Sequence, residues 1–205
     1  MKTVKIGNQE WAQENLNIDH FQNDDLIQHA KTKDEWKLAN ENKQAAWCFN
    51  LNEATNELKS GRLYNFYTIL DSRMIAPNGF HVPTIEEWEI LIHFLGGFDT
   101  AGFKLKSING FSGSNAGTTN ESGFTGVAGG DRKVGGAFFD SERTYGLWWT
   151  SSLWDGEASG IYKNIDGTLN NDLAYAIRLE SAYGEALKKS VEFGCGLSIR
   201  CLKNQ

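Results

Sequence analysis

The sequence predicts an α+β fold, one domain spanning residues 1–205, with helices concentrated early and strands late. Three observations carry this. Pro83-Thr84 followed by Glu87 writes a helix start twice over: the Thr84 hydroxyl can cap the first turn while Glu87 reaches back to the Thr84 N–H. From Tyr145 onward, short apolar and aromatic runs alternate with Gly, Asn and Asp turns, as strands do. Finally, a composition of 40% hydrophobic and 22% charged residues, with no internal repeat and no convincing linker, suits one soluble core.

Taken in order, Val4-Lys5-Ile6 alternates and reads as an entry strand closed by the Gly7-Asn8 turn. Thr32 with Glu35 forms a second capping-box pattern, opening a short helix to about Asn42. Ala45 to Phe49 is apolar and expected to be buried. Leu63, Phe66, Tyr67 and Leu70 recur at helical spacing, which predicts a helix over residues 61–70 with one aromatic face. After Thr84, the residues Ile85, Trp88, Leu91, Ile92 and Leu95 form one stripe, and Gly96-Gly97 ends the helix.

Residues 107–136 are rich in Gly, Ser, Asn and Thr, and the interleaved Phe111 and Phe124 predict packed loops rather than a flexible linker. Strands are expected at 137–139, 145–152, 160–162, 174–179 and 197–202. Trp148 and Trp149 should point to opposite faces of their strand, with at least one in the core.

Composition also excludes. A net charge of −6 argues against a nucleic-acid partner, whose phosphates require a basic face. No apolar run approaches the roughly 18 residues of a spanning helix, so membrane insertion is not expected. The first residues show no apolar leader pattern, which leaves the compartment open. Three cysteines are too few for a disulfide-dense scaffold.

Candidate chemistry is sparse. His20, His29, His81 and His93 offer no helical pair for a metal, and His81 beside Pro83 reads as a structural hydrogen-bonder. Asp166, Asn170, Asn171 and Asp172 supply hard oxygen atoms in a short loop; calcium is one reading and turn chemistry the competing one. Trp154, Asp155, Tyr162, Tyr175, Arg178 and Tyr183 lie in or beside the late loops and strands. Rings and planar polar groups together are what a sugar or peptide surface needs, so these six are the candidate ligand site. Covering a loop-rich core is the competing role for each of them.

An ordered set of motifs adds a resemblance. Ile6-Gly7-Asn8-Gln9-Glu10-Trp11, Glu14-Asn15-Leu16-Asn17, Ala46-Trp47-Cys48 and Gly61 to Tyr67 are followed by Ala76 to Thr84, Glu87-Trp88, Asn120 to Phe124, Gly129 to Arg132 and Trp149 to Ser152. The series closes on Gly196 to Cys201. It resembles the Fibrobacter succinogenes major paralogous domain family over nearly the whole length. That family is similar in turn to the formylglycine-generating-enzyme branch of the C-type lectin-like fold.

The resemblance implies two or three helices with an irregular, loop-rich antiparallel sheet region, and termini adjacent in one sheet. It also implies a disulfide between Cys48 and Cys201, and a secreted or cell-surface location. Cys195 is an addition to the pattern. The function it implies is a non-catalytic recognition or surface module binding carbohydrate, peptide or protein. An oxidoreductase of the formylglycine-generating type, using Cys195 and Cys201, is the alternative, although their spacing departs from that pattern. A purely structural domain is the third reading. The Glu-Pro-Asn and Gln-Pro-Asp triplets of calcium-dependent sugar-binding lectins are missing.

Overall fold

In the computed structural model the described residues are 1–53, 60–139, 143–155 and 172–205. They form a mixed α/β architecture of four α-helices and several small sheets in which antiparallel pairing dominates. The first sheet joins the two ends of the chain. Strands β1 (Thr3–Ile6) and β2 (Gln9–Ala12) form a hairpin on the Gly7 turn, and β12 (Leu202–Lys203) lies between β2 and β6 (Phe80–His81). The expected closeness of the termini is therefore a matter of direct strand pairing.

Both predicted capping boxes are present. Helix α1 (Lys33–Glu41) starts on Thr32, whose hydroxyl accepts from the Glu35 N–H while the Glu35 carboxylate accepts from the Thr32 N–H. Helix α3 (Ile85–Phe94) starts on Thr84 in the same way with Glu87, and its whole predicted stripe is buried. His81 fixes this corner, its ring nitrogens lying 2.9 Å from Glu87 Oε1 and 2.7 Å from Asn204 Oδ1.

The predicted helix over residues 61–70 requires correction. Arg62–Tyr64 is instead strand β5, paired antiparallel with β4 (Ala46–Phe49), which runs parallel to β3 (Gln28–His29). Only the single turn α2 (Tyr67–Leu70) is helical. Pairing with β4 overrides the helical spacing of the side chains. A further short helix, α4 (Ala101–Leu105), precedes the glycine-rich stretch, where Phe111 and Phe124 are buried as expected.

The third sheet organises the core. Strands β9 (Tyr145–Leu153), β10 (Leu173–Glu180) and β11 (Ala186–Glu192) are antiparallel, with β10 central; a separate hairpin pairs β7 (Asp131–Arg132) with β8 (Phe138–Phe139). Alternation along β9 sends Trp148 to one face and Trp149 to the other, and both are fully buried. Trp148, Ile177 and Leu179 pack with the α3 stripe; Leu147, Trp149 and Ala176 pack with Tyr64, Phe66 and Phe193. The sheet is thus the partition between two cores. The strand expected at 197–202 is reduced to bridges at 196–198 and the two-residue β12, and the strand expected at 160–162 lies outside the described residues.

Cys48 and Cys201 do not form the expected bridge: both, with Cys195, are free and buried thiols. Strand alternation supplies the reason. Trp47 and Phe49 face the core that holds Cys201, which turns Cys48 to the opposite side of β4, against Ala30, Trp36 and Leu63. Burial pushes all three thiols up to about 12.

Candidate functional site

Strand β9 ends, and strand β10 begins, at one edge of the partition sheet, and three of the six candidate residues converge there. The Trp154 N–H donates to the Leu173 carbonyl (2.9 Å), which holds the chain against β10 just beyond β9. Its ring then lies against that of Tyr175, with centroids 4.6 Å apart and planes tilted by 55°. The Tyr175 hydroxyl donates to Asp155 Oδ1 (2.6 Å). Both rings are half-buried and Asp155 is exposed, so the trio forms a surface platform with a carboxylate at its rim.

Two further contacts fix the platform. Thr150 Oγ1 donates to the Tyr175 carbonyl (3.0 Å), and the α3 N-terminus is tied to β9 by the Ile85 N–H donating to Ser152 Oγ (3.0 Å). The Asp155 carboxylate, burial and the carboxylates of Glu89 and Glu86 push the Tyr175 phenol up to about 12. It therefore remains a neutral hydroxyl donor at any physiological pH.

The other candidates separate from this trio. Arg178 is three residues beyond Tyr175 on the same strand, so the two side chains leave opposite faces. Its guanidinium sits 4.1 Å above the Tyr145 ring, and Nε lies 2.9 Å from Glu180 Oε1 without hydrogen-bond alignment. Tyr183 is exposed in the turn at the far end of β10, where its carbonyl accepts from the ammonium of Lys106 (2.7 Å). Tyr162, Asp166 and Asn170 lie outside the described residues. Asp172, the remaining calcium candidate, is paired with Lys43 Nζ at 3.1 Å. Among the described residues no cluster of His, Cys, Asp and Glu has the makings of a metal site.

On the opposite face of the same sheet end, a cleft of about 290 Å³ opens between α1, α2 and the turn after β11. Its floor is a polar knot. Asn40 Nδ2 donates to the carbonyls of Gly194 (2.8 Å) and Val134 (3.2 Å), and Asn40 Oδ1 accepts from Asn65 (3.1 Å). Nothing in the sequence singles out Asn40 or Asn65, because their partners come from segments remote along the chain.

The sequence model described as Fibrobacter succinogenes major domain matches residues 4–203. The chain belongs to that family. No curated protein and no solved structure matches it. The matched residues take in both capping boxes, the partition sheet and the C-terminal strand, and the platform and the cleft lie within that range. Among its described residues no helix is long and apolar enough to cross a membrane.

Proposed function

We propose that this domain is a non-catalytic recognition module of the C-type lectin-like, formylglycine-generating-enzyme branch, and that it holds a carbohydrate on the Trp154–Tyr175 platform. The fold reading is supported by strand pairing between the chain ends and by a loop-rich sheet region with few regular helices. The observation that carries the functional reading is the pair of half-buried, tilted rings beside an exposed carboxylate. Ring faces stack against the apolar C–H face of a sugar, and the second Asp155 oxygen accepts from its hydroxyls. Because the Tyr175 hydroxyl is tied to Asp155, the platform is ordered before any ligand arrives, which lowers the entropic cost of binding.

The oxidoreductase alternative finds less support. Cys195 and Cys201 are both buried, so neither sulfur is open to a substrate in this arrangement. The test is a screen of glycans and peptides against the intact chain, run with calcium and again with a chelator. Glycan binding supports the reading. Calcium dependence would bring in the oxygen atoms of residues 166–172, and absence of any glycan ligand would leave the structural domain as the better account.

A further inference from the structure

The shape and charge of the Trp154–Tyr175 platform narrow the class of glycan that it can hold. Building on the carbohydrate reading above, we propose that the ligand is an uncharged glycan met as a single, unpacked chain. Crystalline polysaccharide faces and glycans that carry carboxylate groups are excluded.

Shape separates a single chain from a packed surface. The planes of Trp154 and Tyr175 are tilted by 55°, with centroids 4.6 Å apart. A stacked sugar lies parallel to the aromatic face that it covers, so rings at this tilt share no common plane of contact. The face of a crystalline polysaccharide offers one plane and can cover one ring only. A single chain turns about its glycosidic bonds from one unit to the next and can meet both. The protein holds the tilt in place. Tyr175 packs on the core beneath α3 while its hydroxyl donates to Asp155 (2.6 Å), and the Trp154 N–H is bound to the Leu173 carbonyl (2.9 Å).

Charge separates neutral from acidic chains. Asp155 is exposed at the rim, and its second oxygen is open to sugar hydroxyls. The first turn of α3 lies beside the same strand end, held by the Ser151 N–H on the Pro83 carbonyl (2.8 Å) and the Ile85 N–H on Ser152 Oγ (3.0 Å). That turn brings the exposed Glu86 carboxylate to the site, and Glu86 and Glu89 both act on the Tyr175 phenol together with Asp155.

The cations that could answer an acidic ligand are engaged or face away. Lys188 stands opposite Ile177 in the ladder, on the platform's face, and is paired with Glu89 (2.7 Å). Arg178 leaves the other face of the sheet and is paired with Glu180. A carboxylate on the ligand would therefore meet like charge, which costs affinity, whereas a hydroxyl finds an acceptor.

The experiment measures binding of the intact chain to matched probes. Soluble mannohexaose, maltohexaose and laminarihexaose, each beside its C6-carboxylate form, are titrated by calorimetry at low salt; crystalline mannan and crystalline chitin are tested by depletion of the protein from solution. Saturable binding of at least one neutral hexaose is expected, at least about tenfold weaker binding of its C6-carboxylate form, and no depletion by the solids. Asp155→Asn keeps an oxygen for the Tyr175 hydroxyl and removes the charge, so it should narrow the gap between the two forms, as should added salt. Trp154→Ala should weaken the neutral hexaose about tenfold. A C6-carboxylate form bound as tightly as its neutral parent, or a crystalline solid bound in preference to the soluble hexaoses, would overturn this proposal while leaving the platform intact if Trp154→Ala removes that binding. Failure of every probe, or binding that Trp154→Ala leaves unchanged, would overturn the platform reading and this proposal with it.

Discussion

Arg200 donates twice to one atom, the Oδ1 of Asn15, through Nε (3.0 Å) and Nη2 (2.7 Å), and both residues are buried. The same oxygen accepts from Trp148 Nε1 (2.8 Å), and Arg200 Nη1 completes its fork on the carbonyls of Ala12 and Phe124. Burial lowers the Arg200 pKa to about 9, so the group is a charge held in the core by amide oxygens. This one contact joins the first hairpin, the glycine-rich stretch, the partition sheet and the C-terminus.

Asn15→Ala should therefore be among the costliest polar substitutions in the chain. It strands two guanidinium donors and an indole N–H away from water, at a cost of about 3 kcal/mol or more. A denaturant titration checks this, and a midpoint near that of the wild type would show that the fork is not a structural keystone.

Loss of a helix cap is a milder event. Thr84→Ala removes the acceptor for the Glu87 N–H and should cost about 1 kcal/mol, with Thr84→Ser restoring most of it. Equal melting of all three proteins would mean that α3 is held by its packing alone.

The caps were legible because each is written within four residues, and the α3 stripe because its period is local. The strand at Arg62–Tyr64 was not, since its partner β4 lies more than ten residues upstream and the spacing of Leu63, Phe66 and Tyr67 imitates a helix. Strand β11 carries no such signature, because Lys188 and Lys189, exposed at the sheet edge, interrupt its apolar alternation. The candidate site was half legible. Trp154, Asp155 and Tyr175 come together, whereas the three-residue step from Tyr175 to Arg178 already implied opposite faces once both sit on one strand. The cleft had no sequence signature, since Asn40, Tyr67 and Phe193 meet only through tertiary folding.

A pH signature should come from His29, whose ring stacks on Trp47 at 3.8 Å while the Arg62 guanidinium sits 4.1 Å from the centre of the same indole. Burial first, then Lys31 and Arg62, hold its pKa below the ordinary 6.5, with Glu35 opposing. Protons then bind the unfolded chain more readily, so the stability that neutral His29 contributes is complete above pH 6.5 and is lost as pH falls below it. His29→Gln should flatten this part of the stability curve relative to wild type. Parallel curves between pH 7 and about 5 would remove His29 as its source.

The cysteines give a count. Denatured without reductant, the chain should show three titratable thiols, and the native protein should react slowly at all of them because burial keeps each protonated. One thiol per denatured chain would mean that two of the three cysteines are bridged and would contradict the three free thiols.

The central claim is that ligand recognition uses the Trp154 side of the sheet edge and not the Arg178 side. The direct measurement is the affinity of Trp154→Ala and Arg178→Ala for a glycan found by screening, with folding confirmed by circular dichroism. The account predicts at least about a tenfold loss for Trp154→Ala, the scale of a lost stacking ring, and little change for Arg178→Ala. Full affinity in Trp154→Ala, or a loss confined to Arg178→Ala, would contradict it.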